Sequence, residues 1–177
     1  MDPVRRRAAV AATAVALPVT ALLVLAVNDP VGSGRTPTPA PTAAGNSPEV
    51  LPPLRVDPPP PLPAAGQKAC QELISALPVT LGERTARPVD SSSPYVVAWG
   101  EPPVVLRCGV PRPAALRPDS EVLDISGVTF FAERRGDRTA YTAVDRAVYV
   151  ETVAPTAEAS GPAARLATAI SRALPRR

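Results

Sequence analysis

Residues 95–113 read YVVAWGEPPVVLRCGVPRP. Two short runs rich in β-branched and aromatic residues, Tyr95 to Trp99 and Val104 to Cys108, flank the turn Gly100, Glu101, Pro102, Pro103. The runs favour extended backbone and the glycine and prolines punctuate it, so the stretch reads as a β-hairpin. In the second run Val104, Leu106 and Cys108 share one face, while Val105 and Arg107 point to the other. Upstream, Cys70, Leu73, Ile74 and Leu77 recur at helical spacing, and Pro78 stops the run. Packing that stripe on Val104 and Leu106 brings Cys70 to Cys108, and in an oxidising compartment the two form a disulfide.

Outward from the hairpin the same reading continues. Strands are expected at Thr85 to Val89, Val122 to Ile125, Val128 to Glu133, Arg138 to Val144 and Val148 to Val153, with a turn at Arg135, Gly136 and Asp137. Pro162 opens a last helix, and Leu166, Ala167, Ile170 and Leu174 line one side of it. Consecutive strands joined by short turns imply antiparallel pairing. The expected fold class is therefore α+β: a small antiparallel sheet with an N-terminal and a C-terminal helix packed on one face, spanning residues 68–175.

The N-terminal third has a different character. Arg5, Arg6 and Arg7 precede an uncharged run from Ala8 to Val27, long enough to cross a bilayer as a helix. The arginines belong on the cytoplasmic side, which makes residues 1–7 a cytoplasmic tail and 8–27 a signal anchor with the remainder outside. A cleaved signal peptide is the alternative, with Val24, Leu25 and Ala26 as a cleavage site, although the run exceeds the usual apolar region of about 7 to 15 residues. Residues 28–67 contain 12 prolines and are expected to form a disordered stalk of polyproline character, free of helix and strand. At about 3.1 Å per residue it could reach roughly 120 Å from the bilayer. A PxxP ligand is the sharper reading of the prolines, but its usual readers lie in the cytoplasm.

Composition narrows the chemistry. The chain has no histidine, two cysteines, and 18 arginines beside the single Lys68, for a net charge of +3. Without histidine there is no Ser/His/Asp triad or Cys/His dyad. No metal or cofactor is expected, because two cysteines without a carboxylate cluster do not make a metal site. The basic residues are dispersed, so nucleic acid is not an expected partner. Arginine over lysine, with abundant alanine and proline, fits the codon bias of a GC-rich genome.

The core AWGEPPVVLRCGV, with the upstream CQELISALP and the later RAVYVETVAP, resembles an actinobacterial family of exported proteins known as a domain of unknown function, DUF3515 type. The resemblance covers roughly Ala69 to Leu174. It implies a membrane-anchored envelope protein and supports the pairing of the cysteines. It brings no activity and no catalytic residues.

Four residues are candidates for binding. Trp99 and Glu101, beside the rigid Gly-Glu-Pro-Pro turn, could meet a sugar or peptide face, though a domain with so few aromatics needs its tryptophan for core. Arg107 and Arg112 could grip a carboxylate or phosphate, or form ion pairs with Glu121 or Asp124 on a strand surface. Asp124, Asp145 and Glu101 are the carboxylates considered as acids or bases, and nothing in their spacing pairs any two. A dyad of Lys68 with one of Ser91, Ser92 and Ser93 is formally available, but Lys68 belongs at an exposed helix start. The function expected is a non-enzymatic envelope module that binds a wall component or an exported protein. The alternatives are a carboxylate-dependent hydrolase or transferase acting on wall material, and a structural subunit of a membrane complex. A reporter active only outside the cytoplasm, fused after Arg177, should be active, and the mature protein should retain Arg5 to Arg7. A mature N-terminus at Val27 would establish cleavage instead.

Overall fold

The computed structural model describes residues 51–177. The anchor expected at 8–27, the tail expected before it and the expected stalk as far as residue 50 lie outside the described residues. In chain order the elements are β1 (Leu54–Arg55), α1 (Ala64–Ala76), β2 (Thr80–Leu81), β3 (Arg84–Arg87), β4 (Val89–Asp90), β5 (Val96–Trp99) and β6 (Val104–Val110). They are followed by β7 (Leu123–Ile125), β8 (Val128–Arg135), β9 (Arg138–Ala143), β10 (Tyr149–Pro155) and α2 (Ser160–Ala173). No helix among the described residues is long and apolar enough to cross a membrane.

The fold is α+β, and its main sheet has eight strands in the order β2-β3-β5-β6-β10-β9-β8-β7, every neighbouring pair antiparallel. The hairpin of residues 95–113 forms as read, with Val96 opposite Arg107 and Trp99 opposite Val104. The strand expected from Thr85 forms as β3, and the sheet is one strand larger than expected because the short run β2 extends its edge. It is also not a simple meander. The chain leaves β6, crosses through residues 111–122 to the far edge at β7, and winds back until β10 docks beside β6. Alternation within each strand cannot foretell that return, since it fixes which face a residue takes and not which strand lies alongside.

Both helices cover one face. Cys70 and Leu73 of α1 and Leu166, Ala167 and Ile170 of α2 are buried with Val104, Leu106, Cys108, Val128, Phe130 and Val150 of the sheet. Trp99 is fully buried in the same cluster, and its indole N–H donates to the Pro78 carbonyl at 3.0 Å. That bond satisfies the one polar atom of the ring, which burial would otherwise penalise. Pro162 lies within the first turn of α2, where its missing N–H has no helical partner to lose. Cys70 and Cys108 are joined, their Cα atoms 5.7 Å apart, so the disulfide ties α1 to the middle of β6.

The proline-rich segment needs correction. Helix α1 begins at Ala64 rather than near residue 68, and β1 forms a short parallel pair with β4, Leu54 opposite Val89. Residues 51–67 are therefore part of the folded body. Leu62 packs against the core, and its methyl groups occupy the space where a side chain at Gly109 would stand, 2.5 Å from a Cβ built there. Gly109 also has φ +88°, in the region that favours glycine, so β6 accepts the approach of Leu62 only because this position lacks a side chain. Proline does not prevent such docking. It removes N–H donors, while its carbonyls and ring surfaces remain available.

By the loop-closure estimate a cross-link over a separation of 38 residues stabilises the fold by about 4 kcal/mol. Cys70→Ser should accordingly lower the Tm by roughly 10 °C or more. Non-reducing peptide mapping should find Cys70 joined to Cys108, and quantitative alkylation of both thiols in native protein would remove the claim.

Candidate functional site

The face of the sheet turned away from the helices carries the polar chemistry. Arg107 on β6 and Glu151 on β10 stand opposite each other in register, and Thr142 on β9 is the next residue across. Glu151 alternates with Val150 and Thr152, which face the helices, so the strand turns this single carboxylate to the other side. Its side chain is only 5% exposed and accepts three charge-assisted bonds. Arg107 donates from Nε at 3.1 Å and from Nη2 to one oxygen, and Arg135 of β8 donates from Nη1 to the other at 2.7 Å. Arg135 also donates from Nη2 to Glu133 at 2.9 Å, so one guanidinium bridges two carboxylates. Burial lowers the affinity of Arg135 for its proton, but the bonds to Glu151 and Glu133 outweigh that and raise its pKa above the usual value for arginine. The cation is permanent at any working pH.

These groups line a cleft of about 390 Å³ whose other walls include Pro58, Pro59, Pro60, Pro111, Arg112 and Pro113. The N-terminal proline segment supplies one wall and the crossover after β6 supplies another. The crossover is not a free loop: Leu116 is buried, as is Phe131 on the same face as Glu133. Arg112, itself exposed, donates from Nη1 to the Leu116 carbonyl at 2.7 Å and has no carboxylate partner among the described residues. Three arginines and two glutamates leave the cleft one positive charge in excess. The face expected to be left open is thus partly covered, and this cleft opens on it.

Of the residues singled out in the sequence, Arg107 and Arg112 come together here. Trp99 and Glu101 do not. Trp99 is core, on the helix side, and Glu101 pairs at 2.6 Å with Arg87. Arg87 is itself buried and donates to the carbonyls of Gly100 and Pro52, so it clasps the β5–β6 turn to the incoming chain. Arg107 pairs with Glu151 rather than with Glu121 or Asp124. Asp124 and Asp145, which spacing left unpaired, share Arg176 at 3.5 and 3.2 Å. Lys68 is exposed on α1, while Ser91 and Ser93 use their hydroxyls to accept backbone N–H groups of their own loop. Among the described residues no group of three or more carboxylate or cysteine side chains could hold a metal ion. Glu133, Glu151 and Arg135 escaped sequence reasoning. The one local signal was Glu151, a lone charge in the otherwise uncharged run Val148 to Pro155.

The geometry defines an α+β domain with an arginine-bridged cleft on the sheet face opposite its helices. Residues 8–177 match the family described as "Protein of unknown function (DUF3515)", and the chain belongs to that family. No curated protein and no solved structure matches it.

The two glutamates differ in exposure, 5% for Glu151 against 22% for Glu133. Glu151→Gln removes the charge of a buried carboxylate that Arg107 and Arg135 share and should cost about 2 to 3 kcal/mol by denaturant unfolding. Glu133→Gln relieves only a half-exposed arginine of one partner and should cost under about 1 kcal/mol. Equal losses for the two would show that Glu151 does not organise the cleft.

Proposed function

We propose that this chain is a non-enzymatic module held outside the cytoplasmic membrane, where it binds a wall component or an exported protein through the cleft on its sheet. The observation that carries the reading is the occupancy of the cleft's charged groups. Both oxygens of Glu151 and one of Glu133 already accept from arginine, whereas Arg112 keeps a charge that no carboxylate answers among the described residues. General acid–base catalysis needs a carboxylate within reach of a substrate proton. A bridged pair with one member buried is poorly placed for it, and a residual cation is well placed to receive an anionic group. Two further features support the location. The Cys70–Cys108 disulfide fits an oxidising compartment, and the basic cluster before the apolar run 8–27 fits an anchor with its N-terminus inside.

The test uses the full chain in its own cells with a photo-crosslinking residue at Ala114, which is exposed on the cleft rim, and separately at Arg172, exposed on α2. Ala114 should capture an exported protein or wall fragment that Arg172 does not. Capture from Arg172 alone would move the interface to the helices. Turnover of wall material by the purified protein, lost in Glu133→Gln while the fold is retained, would establish the hydrolase or transferase reading in its place.

A further inference from the structure

We infer that the cleft is a receptor for a single carboxylate group, held at the unpartnered edge of Arg112. The inference rests on the binding reading above and names its ligand chemistry.

Three observations carry it. The first is directional. Arg112 commits Nη1 to the Leu116 carbonyl, and no acceptor among the described residues takes Nε or Nη2. The Nε–Nη2 edge of a guanidinium presents two parallel N–H groups, spaced to meet the two oxygens of a carboxylate. The Leu116 bond fixes the plane of the group before any ligand arrives, which lowers the ordering cost of binding. The second is charge. Arg107 and Arg135 are balanced by Glu151 and Glu133, so the cleft has room for one negative charge and not two. A monoanion neutralises it, whereas a phosphate monoester would leave it negative beside two carboxylates. Arg107, bonded to Glu151 through Nε and Nη2, still has Nη1 without a protein partner and adds a second donor from the cleft floor. The third is the walls. Prolines from both the N-terminal segment and the crossover offer apolar rings and no N–H donors, so they can contact the body of a ligand without competing for its carboxylate. The volume, about 390 Å³, lies in the range of small-ligand pockets.

A carboxylate could come from the free C-terminus of a peptide or from a small organic acid. The experiment separates these sources. Full-length protein in detergent is titrated calorimetrically with N-acetyl-dialanine, its C-terminal amide, propanoate and inorganic phosphate. The peptide acid should bind, and the amide should bind at least about tenfold more weakly because it lacks the charge and one acceptor. Binding of propanoate as tight as the peptide acid would identify a small acid as the sufficient ligand. Arg112→Lys keeps the charge but loses the paired N–H edge and should weaken the acid about tenfold. Arg172→Gln, on the helix side, should leave it unchanged. Equal affinity for acid and amide, undiminished binding by Arg112→Lys, or phosphate binding more tightly than either acid would overturn the carboxylate assignment. If none of the probes binds while Ala114 still captures a partner in cells, the carboxylate inference fails and the binding module stands. If capture fails as well, both fall.

Discussion

The pairing of β10 with β6 is the contact on which the rest of the molecule depends. It joins the hairpin β5–β6 to the meander β7–β10, two stretches that would otherwise be separate sheets. Because β10 lies in the middle, its inward residues Val150 and Ala154 help to floor the helix-side core, and α2 can follow directly onto that core. The same register turns Glu151 toward Arg107 on the other face. Core and cleft are thus two consequences of one set of ladder hydrogen bonds, and a slip of one residue would exchange them.

Arginine does structural work throughout the domain. Arg87 and Arg146 are buried, and arginines donate to the carbonyls of Pro52, Gly100, Pro103, Leu116 and Gly127. These carbonyls belong to turns and connecting segments, where strand or helix partners are lacking. A guanidinium, with five donors on a flat frame, can reach several acceptors at once, which an ammonium on a flexible stem does less well. Composition bias alone does not account for that pattern. The positions at which arginine is buried each join segments distant in sequence, as Arg87 joins Pro52 to Glu101.

The disulfide and the N-terminal segment act on β6 at adjacent residues. Cys108 is fastened to α1, and its neighbour Gly109 receives Leu62. The strand is held where its register against β10 shifts, between Tyr149 and Val150. That anchoring brings the prolines at 58–60 beside Arg107 and so gives the cleft a wall built from residues that composition assigns to a stalk.

Local pattern was enough for much of the fold. The two amphipathic stripes and the hairpin of residues 95–113 follow from the spacing of apolar residues, turn residues and prolines, because these act within a few residues of one another, and packing one stripe on the hairpin gave the Cys70–Cys108 link. The sequence also named Arg107 and Arg112, from strand alternation and position. The partners of Arg107 were decided only by tertiary structure. Glu151 reaches it, and Arg135 with Glu133 reaches Glu151, through a crossover that carries the chain to the far edge of the sheet and back, and no periodicity encodes which strands become neighbours. Trp99 and Glu101 went the other way for the same reason: proximity in sequence put them beside Arg107, but the pleat sends Trp99 into the core and Arg87, from another strand, claims Glu101. Sequence settles which face a residue takes; only the folded sheet settles what stands opposite it.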